Sequence, residues 1–264
     1  EHIIELLKKH DITEVAATLQ YMPEIIKDYF GDGSEFNIEL RYYVEEKPLG
    51  TAGSVKNAED FLDDTFVVIS GDALTDIDLT EAIEFHRKKD AMATLVLKKV
   101  DIPLEYGVVV TDAEGRIIRF LEKPSWGEVF SDTVNTGIYI LSPEIFNFYK
   151  KNEITDFSKD IFPMLLEQKK PMFGYVADGY WCDIGDLNAY LQAHRDIMDG
   201  KVQINIEGRQ IKDKVWIGED TQIDDYDNIK APCIIGSNCR IHGDTIIGEY
   251  SVIGNSNIIG ERTG

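Results

Sequence analysis

The stretch FVVISGDALTDIDL, Phe66 to Leu79, decides how the chain is interpreted. Its first four residues, 66–69, are apolar and predict a short buried strand. Three carboxylates follow directly, at Asp72, Asp76 and Asp78. Since ligands bind at the carboxyl ends of strands in α/β sheets, a core strand that ends in carboxylates predicts a cation or substrate there.

On both sides of this stretch, up to about residue 200, apolar strand-like runs alternate with amphipathic helical runs. The predicted strands include 14–19, 37–44, 65–70 and 93–100, and the predicted helices include 1–10, 23–30, 51–62 and 79–90. This alternation predicts an α/β fold with a Rossmann-like, mostly parallel mixed sheet and flanking helices. Residues 106–124 predict a hairpin beside the cleft, with a Glu-Gly turn. The first predicted domain covers residues 1–200.

The second predicted domain covers residues 201–264, and from about Ile211 its apolar residues recur with a period of six. The isoleucines that follow this period are Ile211, Ile217, Ile223, Ile229, Ile235, Ile241, Ile247, Ile253 and Ile259. A six-residue repeat is the signature of a parallel β-helix, in which each hexad forms one side of a coil. We expect this second domain to mediate homo-oligomer formation rather than chemistry.

Composition excludes several classes of protein. The 27 basic and 48 acidic residues give a formal charge of −21, which disfavours nucleic-acid binding. The three cysteines show no C-x-x-C spacing, so a disulfide framework and a zinc site are both disfavoured, and a reducing cytoplasm is expected. No apolar run approaches the roughly 18 residues of a membrane span.

Further polar residues stand near the ends of other predicted strands. Asp183 follows an apolar run in GYWCDIGD, a setting similar to that of Asp72, so the two carboxylates predict a Mg²⁺ site completed by water and phosphate oxygens. The loop KPLGTAGSV enters a helix and predicts contact with an anion or a base edge. LEKP places Glu122 beside Lys123, and VNTG places Asn135 at a strand start.

The segments LGTAGSV, VVISGDALTDIDL, EYGVVV, FLEKP, VNTGIYIL and WCDIGD, in this order and followed by hexapeptide repeats, resemble the nucleotide-sugar pyrophosphorylases. These enzymes make NDP-sugars from an NTP and a sugar 1-phosphate. The resemblance implies a left-handed β-helix and the following roles: Asp72 and Asp183 at the metal, Gly50, Thr51 and Ala52 at the base, Gly107, Glu122 and Asn135 at the sugar, and Lys123 at its phosphate.

Such a site implies an in-line displacement, in which a sugar-phosphate oxygen attacks the α-phosphorus and pyrophosphate leaves. Because no covalent intermediate is needed, the protein positions the substrates and neutralises charge. Asp72, Asp183 and Lys123 would be its catalytic residues, and Mg²⁺ its cofactor.

Guanine presents two adjacent donors, and a carboxylate can accept from both. Glu45 or Glu46, directly before the base loop, could supply that carboxylate, and Glu45 is the preferred candidate. EEKPLGTAGSV is also most similar to mannose-1-phosphate guanylyltransferases, which implies GTP and mannose 1-phosphate as substrates. The alternative is a thymidylyl-, uridylyl- or adenylyltransferase acting on glucose 1-phosphate.

The family's pattern begins with a Gly-rich phosphate-binding loop, and the printed sequence starts at a helix resembling the one that follows it. We expect from this that the first domain is incomplete at its N-terminus. The hexapeptide repeat stops at Gly264 without a visible cap, so we expect the β-helix to be incomplete at its C-terminus. Two other classes stay open at this point: a sugar-nucleotide-binding regulatory subunit without catalysis, and an acyltransferase built on hexapeptide repeats.

Overall fold

The structure is a computed structural model that describes residues 1–123, 125, 131–261 and 263. The chain divides into two compact units. The first contains residues 1–73 and 77–181, and the second contains residues 74–76 and 182–264. This division falls before the predicted boundary at residue 200, because the helix over residues 187–198 belongs to the second unit.

Six α-helices and seventeen strands are present among the described residues. Up to residue 181 they are α1 (His2–Lys9), β1 (Glu14–Leu19), α2 (Pro23–Phe30), β2 (Glu39–Val44), α3 (Gly50–Lys56), β3 (Phe66–Val68), β4 (Ala73–Thr75), α4 (Leu79–Lys88), β5 (Ala93–Lys99), β6 (Gly107–Thr111), β7 (Ile117–Glu122), β8 (Thr133–Leu141), α5 (Phe162–Glu167) and β9 (Met172–Val176). They continue with β10 (Trp181–Asp183), α6 (Leu187–Met198), β11 (Arg209–Lys212), β12 (Val215–Ile217), β13 (Gln222–Ile223), β14 (Cys233–Ile235), β15 (Arg240–Ile241), β16 (Ser251–Ile253) and β17 (Ile258–Ile259).

The first unit is built on a six-stranded sheet with the order β7-β6-β8-β5-β9, in which β3 also pairs with β8. The sheet is covered on both faces, as its central strands show. On β5, Leu95 and Leu97 enter one apolar cluster, whereas Val96 enters the other. On β8, Tyr139 and Ile140 divide in the same way. Neighbouring strand residues point to opposite faces, so a strand buried on both faces is apolar throughout.

The expectation of a mostly parallel sheet is wrong. β8 runs antiparallel to β3, β5 and β6, β6 runs antiparallel to β7, and in this sheet only β5 and β9 form a parallel pair in the described part of the chain. The physical reason is connection length: parallel neighbours need a crossover of a dozen or more residues, usually a helix. No helix lies in the described part of residues 100–132, so the strands around it pair antiparallel.

Other predicted elements are confirmed. β1 pairs with β2 in a separate parallel sheet, and β6 and β7 form the predicted hairpin. α2 begins at Pro23, which suits the first turn of a helix because its missing N–H has no partner there. Helix α3 ends at Lys56, earlier than the predicted residue 62, and the chain continues in turns.

The second unit contains two sets of short strands with a constant register. In one set Val215 lies opposite Cys233, and Cys233 opposite Ser251. In the other set Gln222 lies opposite Arg240, and Arg240 opposite Ile258. Each parallel step therefore advances 18 residues, three times the six-residue period of the sequence. The nine periodic isoleucines belong to one apolar cluster, either buried in it or packed against it.

One buried histidine in the first unit has a consequence for stability. His86 is only 2% exposed, with Nδ1 2.9 Å from Thr94 Oγ1 and Nε2 3.1 Å from Ser142 Oγ. Burial lowers its pKa from the ordinary 6.5 to about 4. The imidazole is therefore neutral in the folded chain at neutral pH. As the pH falls through 6.5, the imidazole of the unfolded chain takes up a proton, whereas the buried imidazole of the folded chain stays neutral.

We expect acid to destabilise the fold through this residue. Because the folded pKa is lowered, the contribution is fully present above pH 6.5 and is lost as the pH falls toward 4. Between pH 7.5 and pH 5 the free energy of unfolding should fall by about 2 kcal/mol from His86 alone. Urea unfolding of the wild type and of His86→Gln across this range measures it. His2→Gln, at an exposed histidine, is the control that should keep the full pH slope, and an equal slope in His86→Gln would contradict the assignment.

Within the described residues, no helix combines the length and the apolar character needed to cross a bilayer.

Candidate active site

The predicted site residues of the first unit lie around an irregularity in β8. Gly137 has φ +77, a conformation that favours glycine, and the pairing with β5 shifts register between Leu95 and Leu97. A Cβ added to Gly137 would lie 4.0 Å from the Cβ of Ser70, which belongs to the loop after β3. The loop that follows β3 and the kink of β8 are therefore neighbours.

Asp72 stands in this loop after β3. Its side chain is exposed, and its Oδ1 accepts a hydrogen bond from the hydroxyl of Ser70. The other two carboxylates of the opening stretch have structural partners: Asp78 caps α4 by accepting from the Glu81 amide at 3.0 Å, and Asp76 accepts from the Gln203 amide at 2.6 Å. Asp72 is thus the carboxylate of the three whose position suits a ligand.

Asp183 is the last residue of β10 and is also exposed. Nearby Asp186 caps α6 by accepting from the Ala189 amide at 2.8 Å. Asp72 belongs to the first unit and Asp183 to the second. No group of three or more metal-binding His, Cys, Asp or Glu side chains occurs in the part of the chain that is described. The site predicted from Asp72 and Asp183 relies on two carboxylates and on substrate oxygens, and it stays a prediction.

The predicted base loop, Gly50 to Ala52, is held by a distant segment. The carbonyl of Thr155 accepts from the amides of Ala52 and Gly53, both at 3.0 Å, and the Thr155 amide donates to Leu49 O at 2.8 Å. Gly50 has φ +75, and an added Cβ would lie 2.6 Å from Thr155 O. The amides of Ala52 and Gly53 are already paired within the protein, so an anion at this helix start would find fewer donors than the loop pattern predicts.

Glu45 is buried, with 9% of its surface exposed, whereas Glu46 is exposed. Glu45 Oε2 accepts from the Leu49 amide at 3.0 Å, which closes the turn that leads into the base loop. The two neighbours thus differ in environment, and both follow the end of β2 at Val44. The carboxylate of Glu45 has a structural contact, and its second oxygen can accept further hydrogen bonds.

The predicted sugar side is formed by the hairpin. Gly107 lies opposite Glu122, and a Cβ on Gly107 would come within 2.7 Å of Glu122 Oε2. Glycine therefore allows the carboxylate to lie across the strand. Burial raises the pKa of Glu122, and the charge of neighbouring Lys123 opposes this shift. Lys123 is exposed and has φ +43, an uncommon conformation for a residue with a side chain that turns the chain out of β7.

Asn135 is buried in a small polar network. Its Nδ2 donates to Tyr139 Oη at 3.0 Å and to Ser158 Oγ at 3.4 Å, and its Oδ1 accepts from the Gly137 amide at 3.1 Å. Burial raises the pKa of Tyr139 to about 12, so the phenol stays protonated. Asn135 supports the kink of β8 through these contacts, and its predicted sugar contact stays a prediction.

Sequence reasoning missed the segment that joins the base loop to the predicted sugar side. Residues 155–159, TDFSK, contact the base loop through Thr155 and Asp156, and Ser158 Oγ accepts from Asn135 Nδ2 at 3.4 Å. The available signal was a helix start: Asp156 accepts from the Ser158 and Lys159 amides at 2.9 and 3.0 Å, as an N-cap does. That signal predicts a cap and says nothing about distant partners.

Comparison with known proteins shows which sequences resemble this chain. The sequence profile described as nucleotidyl transferase matches residues 1–200. The chain is 37% identical over 293 residues to a UTP–glucose-1-phosphate uridylyltransferase of Synechocystis sp., covering 96% of the chain and 76% of the relative. It is 36% identical over 199 residues to a mannose-1-phosphate guanyltransferase of Candida albicans, covering 72% of the chain and 53% of the relative. The chain thus spans about half the length of this second relative.

Among solved structures, HddC from Yersinia pseudotuberculosis matches with a TM-score of 0.64 and 26% identity over 74% of the chain and 83% of HddC. A second structure of HddC, complexed with GMP-PN, has a TM-score of 0.63. The shared core supports a mixed α/β, Rossmann-like sheet. The profile match over residues 1–200 and the identity to a relative along nearly the whole sequence show that the chain belongs to the nucleotidyl transferase family.

Proposed function

We propose that the chain transfers a nucleotidyl group from a nucleoside triphosphate to a sugar 1-phosphate and releases pyrophosphate. The names of the Synechocystis and Candida relatives both describe enzymes that act on a sugar 1-phosphate. The observation that carries the proposal is the end of the hairpin, where half-buried Glu122 lies over Gly107 and is followed by exposed Lys123. A carboxylate that accepts from sugar hydroxyls beside an ammonium group that binds phosphate suits a sugar phosphate.

In the proposed reaction an oxygen of the sugar phosphate forms a bond to the α-phosphorus of the nucleotide. The bond from the α-phosphorus to the bridging oxygen breaks, and that oxygen leaves with pyrophosphate. Lys123 would hold the attacking phosphate as a point charge, and the base loop would fix the nucleotide in line with it. Asp72 and Asp183 are exposed residues whose carboxylates are of the type that binds Mg²⁺, and the charge of that ion would stabilise the phosphate oxygens.

An activity assay with binding controls tests this proposal. Pyrophosphate release should require both a nucleoside triphosphate and a sugar 1-phosphate. Binding of GTP and GDP-mannose without turnover would favour the regulatory subunit, and binding of acetyl-CoA without nucleotide binding would favour the acyltransferase. Either result would contradict the proposed activity.

We propose guanine as the base, with mannose 1-phosphate as the acceptor. The Candida relative carries this activity in its name, and the HddC complex contains GMP-PN. A second candidate, UTP with glucose 1-phosphate, is favoured by the Synechocystis relative, which matches 96% of the chain. The buried carboxylate of Glu45 supports guanine, because it stands directly before the base loop and can accept from adjacent donors.

Glu45→Gln distinguishes the two candidates. Glutamine keeps an oxygen for the Leu49 amide but loses the charge and one acceptor, so a guanine donor would be left unpaired. We expect GTP affinity to fall roughly ten- to a hundredfold, while UTP and dTTP affinities hardly change. Calorimetric titration of each nucleotide measures this. Glu46→Gln is the matched control at an exposed position, and equal losses for GTP and UTP in Glu45→Gln would instead favour the uridylyl candidate.

We propose that the strands of the second unit form successive coils of a left-handed parallel β-helix that mediates self-association. The 18-residue register and the isoleucine cluster support the coils. Exposed apolar side chains on it, such as Ile246, Val252 and Ile258, suit an interface. Sedimentation velocity compares the full chain with one that ends at residue 200. The shorter chain should be monomeric, and association equal to that of the full chain would contradict the role.

A further inference from the structure

The segment from Thr155 to Lys159, called the strap below, contacts both predicted subsites of the first unit. Toward the base loop, its Thr155 carbonyl and amide bind the backbone of Leu49, Ala52 and Gly53. Toward the sugar side, Ser158 Oγ accepts a hydrogen bond from Nδ2 of Asn135, a predicted sugar contact, at 3.4 Å. The two sets of contacts are separated by only a few residues of one turn, so a shift of the strap at one end must displace the other.

Within the strap, one carboxylate connects the two ends. Asp156 Oδ2 accepts from the hydroxyl of Thr51 in the base loop at 3.0 Å, and Asp156 Oδ1 accepts from the amides of Ser158 and Lys159. The Thr51 hydroxyl in turn accepts from the Phe157 amide at 2.9 Å. Thr51 Oγ1 therefore both donates and accepts, and both bonds go to the strap.

We propose that Asp156 is a positioning residue that couples the two subsites, so that a nucleotide against the base loop strengthens binding of the sugar 1-phosphate. The inference rests on the proposed function. A nucleotide that orders Thr51 orders Asp156 through their hydrogen bond, and Asp156 fixes the amide of Ser158. Ser158 Oγ then holds the side-chain amide of Asn135, which is a predicted sugar contact. By thermodynamic reciprocity, the sugar 1-phosphate strengthens nucleotide binding by the same factor.

Asp156→Asn is designed to weaken this connection and leave the turn in place. The amide oxygen can still accept from the Ser158 and Lys159 amides, which fixes the side-chain orientation and directs the NH₂ group at Thr51. That NH₂ group cannot accept from the Thr51 hydroxyl, but it can donate to the second lone pair of Thr51 Oγ1, so an uncharged hydrogen bond replaces the charge-assisted one. Thr51→Val removes the same bond from the other side, and Thr51→Ser restores the hydroxyl as the conservative variant. Asp160→Asn is the matched control, because exposed Asp160 accepts only from the Asp156 amide in the strap, at 2.8 Å.

The measurement is calorimetric titration with a GTP analogue that carries a methylene bridge between the α- and β-phosphates, and with mannose 1-phosphate. The UTP analogue and glucose 1-phosphate form a parallel pair. Each ligand is titrated alone and then in the presence of its partner. We expect the wild type, Thr51→Ser and Asp160→Asn to bind the sugar phosphate at least about fivefold more tightly when nucleotide is present. In Thr51→Val this factor should fall to about one, and in Asp156→Asn it should fall to a value between one and that of the wild type.

A purely structural role for Asp156 would weaken both ligands and leave their coupling factor unchanged, and that outcome would overturn the inference. Coupling that is absent from a wild type able to bind each ligand would overturn it as well, while the proposed function would stand. Failure of the wild type to bind either pair would overturn both. The three results differ in the single-ligand titrations, so each can be recognised.

Discussion

Asp72→Asn is expected to lower the rate of nucleotidyl transfer by about two to three orders of magnitude, because metal-assisted charge stabilisation contributes several kcal/mol. Asparagine has nearly the shape of aspartate and can still accept from the Ser70 hydroxyl. It lacks the negative charge that a Mg²⁺ ligand supplies. The loss should appear in kcat, with the Mg²⁺ concentration for half-maximal rate increased. Steady-state kinetics across a Mg²⁺ series measure both quantities.

Asp78→Asn is the matched control for this experiment. Asp78 lies in the same stretch, but its carboxylate caps α4, and asparagine caps a helix about as well as aspartate. We expect its rate and Mg²⁺ dependence to match those of the wild type. A rate for Asp72→Asn within about threefold of the wild type would remove Asp72 from the proposed metal site.

Gly50→Ala should disrupt the base loop. Alanine at φ +75 costs roughly 1–2 kcal/mol, and a Cβ at 2.6 Å from Thr155 O adds a clash with backbone that cannot move freely. We expect the free energy of unfolding to fall by about 3 kcal/mol in total. Nucleotide affinity should fall at least about tenfold, because the clash separates the loop from the strap. Urea unfolding and nucleotide titration measure the two effects.

Gly200→Ala separates strain from clash. Gly200 also has φ +75, but nothing lies within 4 Å of the position its Cβ would take. In Gly200→Ala the free energy of unfolding should fall only by the cost of the backbone conformation, about 1–2 kcal/mol, and the nucleotide affinity should not change. Equal destabilisation of both variants would mean that the clash between the added Cβ at position 50 and Thr155 O does not lower the free energy of unfolding.

Local patterns were sufficient for much of this molecule. The strand Glu14–Leu19 and the helix Pro23–Phe30 have the predicted bounds, because apolar periodicity and a proline at the helix start act within a few residues. The hairpin and the clustering of the periodic isoleucines were predicted for the same reason.

What the sequence determined by itself was the order of elements, the apolar faces and the residue types available to a site, since each depends on neighbours along the chain. The tertiary structure alone decided the direction of β8, because strand pairing depends on partners far away in sequence. It also decided that the amides of Ala52 and Gly53 bind Thr155, and that the Thr51 hydroxyl binds Asp156 across 105 residues. A hydrogen bond needs only proximity in space, and no periodicity in either segment records which distant segment will provide it.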